Sequence, residues 1–356
     1  MIKRRFCDNA PLSVQQKNIW MEHELYPDNT SYNIVSCLRL SGDLNFKAFK
    51  KAITEIIQRH EIFRTTFSVK KSEPCQIIHQ FMEVVILETA LNSLSHKEQD
   101  TEIKRFIRKE SQSPFNLAQG PLFRFTLLSL NNIEHVFLMT IHHIVMDGWS
   151  VGLFANELSI FYDAFCNNMP LMLPEPAIQY SDYAICQNEK YKYSQENDSK
   201  YWNDVIKGAV WGGFPADFPR VFGKKGESAT KTATIPADLT EKLKSFSREE
   251  HATPFITLMA GLQVVLYRYT GNENLLLGCY TAGRDQKEVR SLPGQYSNLS
   301  VIKTAFSGDP DFREIIKRTR RSLFSAYEHG YLLGSLRKPL KSHYMHIKFI
   351  KYRYND

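Results

Sequence analysis

The apolar positions of this chain fall into alternating helical and strand-like stretches. Phe46, Phe49, Ile53, Ile56 and Ile57 recur three and four residues apart, the spacing that lines one face of a helix. The helix predicted there takes Asp43 as its cap. It fades near Arg59-His60-Glu61, and Phe63 to Val69 reads as a strand. Val136 to Ile141 is a short, β-prone apolar run that ends on two adjacent histidines, His142 and His143. After Gly148 helical spacing returns in Val151, Phe154, Leu158, Phe161 and Phe165, the buried stripe of a helix. The unit is strand, loop, helix, with the polar residues gathered in the loop.

Pro170, Pro174 and Pro176 then interrupt both helix and ladder, and a lobe boundary is placed at this segment. Beyond it, Thr232 to Ile235 is a strand candidate and Ala237 to Ser247 a helix. Thr253-Pro254 reads as a cap followed by proline in the first helical turn. That helix runs through Ile256, Met259, Leu262, Val265, Leu266 and Tyr269. Leu275 to Cys279 is a strand leading into Thr281-Ala282-Gly283-Arg284. The second half loosely echoes the first, with no short-period repeat and no low-complexity tract. Alternating helices and strands in two halves point to an α/β fold of two lobes, residues 1–175 and 176–356.

Length agrees with that division, since 356 residues exceed what one hydrophobic core usually serves. The composition, 43% hydrophobic and 23% charged, is that of an ordinary soluble globular protein. The formal charge of +7 is unevenly placed. From Arg337 to Arg353 the chain carries Arg337, Lys338, Lys341, Lys348, Lys351 and Arg353, interleaved with Tyr344, Phe349 and Tyr352, and no acid. Such a run resembles a nucleic-acid patch, but chain ends are commonly solvated, and it is read so here. The six cysteines are scattered, with neither a disulfide framework nor metal-ligand spacing. No secretory core follows the charged start, and no apolar run approaches a membrane span. A cytosolic protein with no membrane or nucleic-acid partner is expected.

The densest chemistry lies in His142-His143 followed by Asp147-Gly148. A histidine at a strand's end, facing a cleft, exchanges a proton near neutral pH. The aspartate, four residues on across a loop, would hold the turn through backbone or an arginine. The glycine permits close approach of another backbone or of a substrate. Two adjacent histidines are also compatible with a satisfied pair in the core. Zinc fits poorly, because adjacent strand side chains point to opposite faces and no further His or Cys cluster completes a tetrahedron.

The surroundings of that motif carry more. The string Ile141 to Ser150, IHHIVMDGWS, resembles the His-His-x-x-x-Asp-Gly signature of the condensation domains of nonribosomal peptide synthetases. Leu12 to Trp20 resembles that family's opening helix motif, and Ser31-Tyr32-Asn33-Ile34 the stretch after it. Arg59 to Phe67 resembles its second motif. Tyr180 to Ala184, Tyr201-Trp202, Gly278 to Arg284, and Gly294 with Asn298 follow in the family's order. The resemblance spans about Pro11 to about Ser335.

It implies a two-lobed, chloramphenicol acetyltransferase-like sandwich, each lobe a mixed sheet with helices, and an active site in a tunnel between them. It also implies peptide-bond formation between a donor acyl or peptidyl thioester and an aminoacyl acceptor. Both would be held on the 4′-phosphopantetheine of partner peptidyl carrier proteins, with an adenylation domain in the same synthetase. No cofactor or metal bound directly is expected. By the same resemblance His143 is the catalytic residue and the Gly148 N–H a donor to the oxyanion. His142, Asp147, Arg64 and Arg284 support the site, with Arg284 or Arg64 the partner of Asp147. Asn298 lies along the substrate tunnel. Trp149 and Trp202 are read as packing residues. The intact histidine pair argues against a heterocyclisation domain and Gly-Trp-Ser against an epimerisation domain, while the early motifs look most like domains that take an L-configured donor.

Two departures stand out. Gln295-Tyr296-Ser297 precede Asn298 where the family usually has an aromatic pair, and the sixth motif survives only as His329 to Ser335. The second lobe is therefore expected to be incomplete. That leaves a non-catalytic remnant that at most binds carrier proteins as one alternative, and a related His-dependent acyltransferase as another.

Overall fold

A computed structural model describes residues 2–211 and 232–329. In chain order the elements are β1 (Asn9–Pro11), α1 (Val14–Leu25), β2 (Asn33–Ser41), α2 (Phe46–Arg59), β3 (Thr65–Lys70), β4 (Glu73–Ile78), β5 (Ile86–Ala90), α3 (His96–Gln112), β6 (Phe123–Ser129), β7 (Glu134–His142) and α4 (Gly148–Cys166). They continue with α5 (Tyr180–Ile206), β8 (Val210–Trp211), α6 (Ala237–Glu249), α7 (Pro254–Thr270), β9 (Asn274–Thr281), β10 (Asn298–Ala305) and α8 (Phe312–Glu328).

The chain divides into two compact units, and the division is not the one expected from the prolines. Among the described residues, those up to Tyr193 together with Ala282–Ser297 form the first, and those of Ser194–Thr281 with those from Asn298 to His329 form the second. The Pro170–Pro176 segment falls inside the first unit. Proline marked a break between two helices, α4 and α5, and not a break between cores.

In the first unit the sheet order is β2-β7-β6-β5, with β5 parallel to β6 and the other pairs antiparallel. A smaller antiparallel sheet runs β1-β4-β3. β7 is flanked on both edges, and every residue from His135 to His142 is buried. This accounts for its unbroken apolar run, since a strand covered on both faces has no solvent side to mark with polar residues. The register opposes Asn33 to His142 and Phe123 to Ile141, so the paired histidines come at the strand's end.

α2 buries Ala48, Phe49, Ala52, Ile53, Ile56 and Ile57. Phe49 meets Phe137 of β7 edge-on at 5.0 Å and Tyr162 of α4 at 6.2 Å. Each fully buried Phe or Ile of this group contributes about 1.5–3 kcal/mol. Replacing Ile53 with a charged residue would therefore break the first core. The helix cap is Asn45, whose side chain accepts from the Ala48 N–H at 3.1 Å, and not Asp43. Asn45 stands three residues before the N–H it satisfies, the reach a capping side chain needs.

The second unit holds the sheet β10-β9-β8, in which β9 pairs antiparallel with β10 and parallel with β8. Ile256, Met259, Leu266, Leu275, Leu277, Ile302, Ile315 and Leu323 form its main core. Thr253 caps α7 as expected, accepting from the Ile256 N–H with Pro254 in the first turn. The helix ends at Gly271, whose φ of 68° is the left-handed value glycine adopts without strain. Thr232 to Ile235, expected as a strand, carries no regular element. Of the sixth motif only His329 is described. Gly330 to Ser335 and the basic tail lie outside the described residues. Among the described residues no helix is long and apolar enough to cross a membrane.

Candidate active site

The loop between β7 and α4 is held by α1, β2 and the 282–297 segment, all within the first unit. His142, the last residue of β7, is buried, and His143 beside it is half-buried. The His142 N–H donates to Leu122 O at 3.0 Å, and the His143 N–H donates to Tyr32 O at 2.8 Å. The backbone ladder thus continues one residue past the strand and fixes where His143 leaves it.

His142 sits among aromatic rings. His23 and Phe115 meet it edge-on at 6.3 and 5.9 Å, and Tyr32 lies 6.1 Å away. Its Nδ1 accepts from the Ile144 N–H at 3.2 Å. Burial, aided by the nearby His23, His143 and Arg124, pushes its pKa down to about 3. His142 is therefore a neutral imidazole throughout the physiological range. Burial lowers His23 as well.

Gln16 of α1 approaches the loop from the other side. Its side chain completes a capping box with Ser13, and its Nε2 donates to Ile144 O at 3.2 Å and to Gln76 Oε1 at 3.3 Å.

Asp147 is fully buried and satisfied on both oxygens. Oδ1 accepts from the Ser150 N–H at 2.9 Å, which makes Asp147 the N-cap of α4, and from Ser150 Oγ at 2.7 Å. Arg284 Nη2 donates to Oδ1 at 3.0 Å, and the Tyr296 N–H donates to Oδ2 at 3.2 Å. Ser150 Oγ in turn accepts from the Gly294 N–H at 3.0 Å and from Arg284 Nη2 at 2.8 Å. The other arm of Arg284 reaches Leu292 O at 2.7 Å, and its guanidinium lies over the Tyr296 ring at 4.1 Å. Two glycines allow this packing. A Cβ on Gly283, φ 62°, would lie 2.0 Å from Tyr296 O, and one on Gly294, φ 157°, would lie 2.1 Å from Tyr180 Cδ2.

Of the two arginines expected near Asp147, Arg284 is the one that meets it. Arg64 is buried elsewhere, donating to His79 O and, at 3.1 Å, to Gln58 O. It ties the turn after α2 to the residue that follows β4 and makes none of the bonds that hold Asp147. Gly148 opens α4 and is exposed, and a Cβ there would meet no heavy atom within 4 Å. Neither strain nor crowding accounts for glycine at that position. Trp149, expected to pack, is 54% exposed, its indole N–H donating to Arg290 O at 3.1 Å. Trp202 is buried in the second unit, packed with Leu276, Val301 and Ala326. Asn298 also belongs to the second unit, where it begins β10 opposite Thr281. Among the described residues no group of three or more His, Cys, Asp or Glu side chains is placed to hold a metal ion.

Gln16, Tyr32, Ser150 and Tyr296 were not singled out by the sequence. Each nonetheless stands inside or beside one of the family motifs, and its place there is the signal that would have found it.

Comparison with known proteins bears on the family and the fold. A family model described as the condensation domain matches residues 7–345. One of the linear gramicidin synthase subunits of Brevibacillus parabrevis is 40% identical over 323 residues, covering 90% of this chain and 6% of that protein. Chondramide synthase of Chondromyces crocatus is 35% identical over 324 residues, covering 91% of this chain and 8% of that protein. The chain thus spans a small fraction of these relatives' length. Among solved structures, the X-domain from teicoplanin biosynthesis superposes with a TM-score of 0.81 at 22% identity, covering 92% of this chain and 73% of that one. The first condensation domain of the calcium-dependent antibiotic synthetase gives 0.78 at 21% identity, covering 94% and 78%. At those identities the likeness is one of fold, and the fold is that of condensation domains, which resemble chloramphenicol acetyltransferase.

Proposed function

The chain belongs to the condensation-domain family of nonribosomal peptide synthesis, and from that premise we propose that it forms an amide bond between two carrier-bound thioester substrates. The donor is an acyl or peptidyl thioester and the acceptor an aminoacyl thioester, each on the 4′-phosphopantetheine arm of a peptidyl carrier protein. An adenylation domain of the same synthetase loads the acceptor. The observation that carries the reading is the half-buried His143 standing beside a neutral, buried His142 on a loop pinned from three elements.

In the proposed reaction the acceptor nitrogen attacks the donor carbonyl carbon. The C–N bond forms, the C–S bond breaks, and one proton passes from nitrogen to the departing thiolate. His143 takes that proton as the tetrahedral intermediate forms and returns it to sulfur. A charged neighbour would oppose a proton on His143, and the neutral state of His142 removes that opposition. The Gly148 N–H, at the first position of α4 where the helix dipole favours negative charge, donates to the oxyanion. Asp147, Ser150 and Arg284 act by holding the loop, which matters because orientation of two tethered reactants supplies several kcal/mol by itself. Asn298 keeps the role the family resemblance implies, a bond to a substrate carbonyl.

The test uses the purified chain with a donor-loaded and an acceptor-loaded carrier protein. Dipeptidyl thioester on the acceptor carrier, read by intact mass, is the expected product. Acyl transfer from free small thioesters without any carrier would favour the related acyltransferase, and no product from either would favour the non-catalytic alternative.

A further inference from the structure

The active-site loop has a second anchor, remote from the Asp147–Arg284 pair. Tyr32 precedes β2 and touches both histidines. Its ring lies 6.1 Å from His142, and it meets His143 edge-on at 6.4 Å with the planes 89° apart. Its carbonyl receives the His143 N–H. Its hydroxyl donates to Glu22 Oε2 at 2.7 Å, in the last turn of α1, while Glu22 Oε1 accepts from Asn29 Nδ2 at 3.2 Å. Asn29 in turn shapes the turn that delivers Tyr32: its N–H donates to Tyr26 O, and its Oδ1 accepts from the Ser31 N–H at 3.0 Å.

A tyrosine present only to fill space beside two imidazoles would need no partner for its hydroxyl beyond water. Here the hydroxyl is fixed by a carboxylate whose other oxygen is also occupied, and a hydrogen bond to a charged acceptor is short and directional. The ring is thereby held from its far end while its near face and carbonyl border His143. We infer that Tyr32 is a positioning residue for His143, and that the Glu22 carboxylate sets the orientation of the Tyr32 ring. The end of α1 then governs the imidazole through a two-residue relay. The inference rests on the role proposed above for His143, but its central observable does not.

That observable is the Cε1–Hε1 cross-peak of His143 in substrate-free protein labelled at histidine Cε1, identified by its loss in His143→Ala. Tyr32→Phe keeps the ring and removes only the hydroxyl, and Glu22→Ala removes the acceptor. Each is expected to move the His143 cross-peak. Each is also expected to lower kcat by about tenfold or more with KM little changed, as misplacement of a reacting group does. Because the two act through one hydrogen bond, the double variant should be no slower than the slower single one. An unmoved cross-peak and an unchanged kcat in both single variants would overturn the inference, as would additive effects in the double variant. If the cross-peak moves while His143→Ala condenses substrates as fast as the parent chain, the positioning stands and the proposed function has failed.

Discussion

Asp147 and Arg284 lie 137 residues apart in the chain and meet as a buried ion pair, Nη2 to Oδ1 at 3.0 Å. The carboxylate also caps α4 and receives the Tyr296 N–H. The 282–297 segment, which links β9 to β10, is thereby fastened to the loop that carries the histidines.

Removing one partner of such a pair leaves a buried charge uncompensated, which costs about 3–5 kcal/mol. Asp147→Ala is therefore expected to lower the urea midpoint by that equivalent, and Asp147→Asn by less, because an amide oxygen can still cap Ser150. A loss of less than about 1 kcal/mol in Asp147→Ala would contradict the role given to the pair.

Three glycines of the same region should separate stability from chemistry. Gly283→Ala and Gly294→Ala force a Cβ to within 2.0 and 2.1 Å of neighbouring atoms at positive φ, and both should melt well below the parent chain. Gly148→Ala meets nothing within 4 Å and should melt within a few degrees of it. Its condensation rate should nonetheless fall if a substrate comes close to that backbone. Equal rates would show that no substrate group comes close to the Gly148 Cα.

Acid should weaken the first unit through His142. Its pKa is about 3 in the folded chain against about 6.5 when unfolded. Between those values the unfolded state binds more protons, so stability is complete above about pH 6.5 and declines as pH falls toward 3, by up to about 1.4 kcal/mol per pH unit. Denaturant midpoints measured from pH 7 to pH 4.5 should show this slope in the parent chain and a shallower one in His142→Phe. Parallel slopes would mean that His142 is not the group excluded from protonation.

Arg64 provides the contrast with Arg284. Its guanidinium serves the carbonyls of His79 and Gln58, so Arg64→Ala should lower the melting temperature while the rate per folded molecule stays near the parent value. Arg284→Ala should lose both. A rate defect in Arg64→Ala at a temperature where it is fully folded would restore Arg64 to the site.

How much of this was legible in the sequence depended on how local each feature is. The stripes of α2 and α4, the Thr253-Pro254 start of α7 and the end of β7 at His142 all follow from neighbours within a turn or a strand, whereas Val265 and Tyr269 of α7 stay exposed. The cap at Asn45 was missed because Asp43 has the same chemistry, and only the backbone decides which of the two reaches the Ala48 N–H. The choice between Arg284 and Arg64 could not be made locally, since both sit in arginine-bearing motifs and only the fold carries one of them across 137 residues. The division at the prolines failed for the same reason: Ala282–Ser297 returns to the first unit, and nothing in its composition announces that. Trp149 reads as a core residue by type, yet it follows an exposed helix start and stays half-exposed.

His143 is proposed to handle the proton in amide-bond formation. Single-turnover condensation with both carriers preloaded reads that step apart from loading and release. His143→Ala is expected to be slower than the parent chain by about 10²-fold or more, the usual worth of a positioned acid–base group, with its melting temperature nearly unchanged. Equal single-turnover rates for the two proteins would mean that His143 takes no part in the proton transfer.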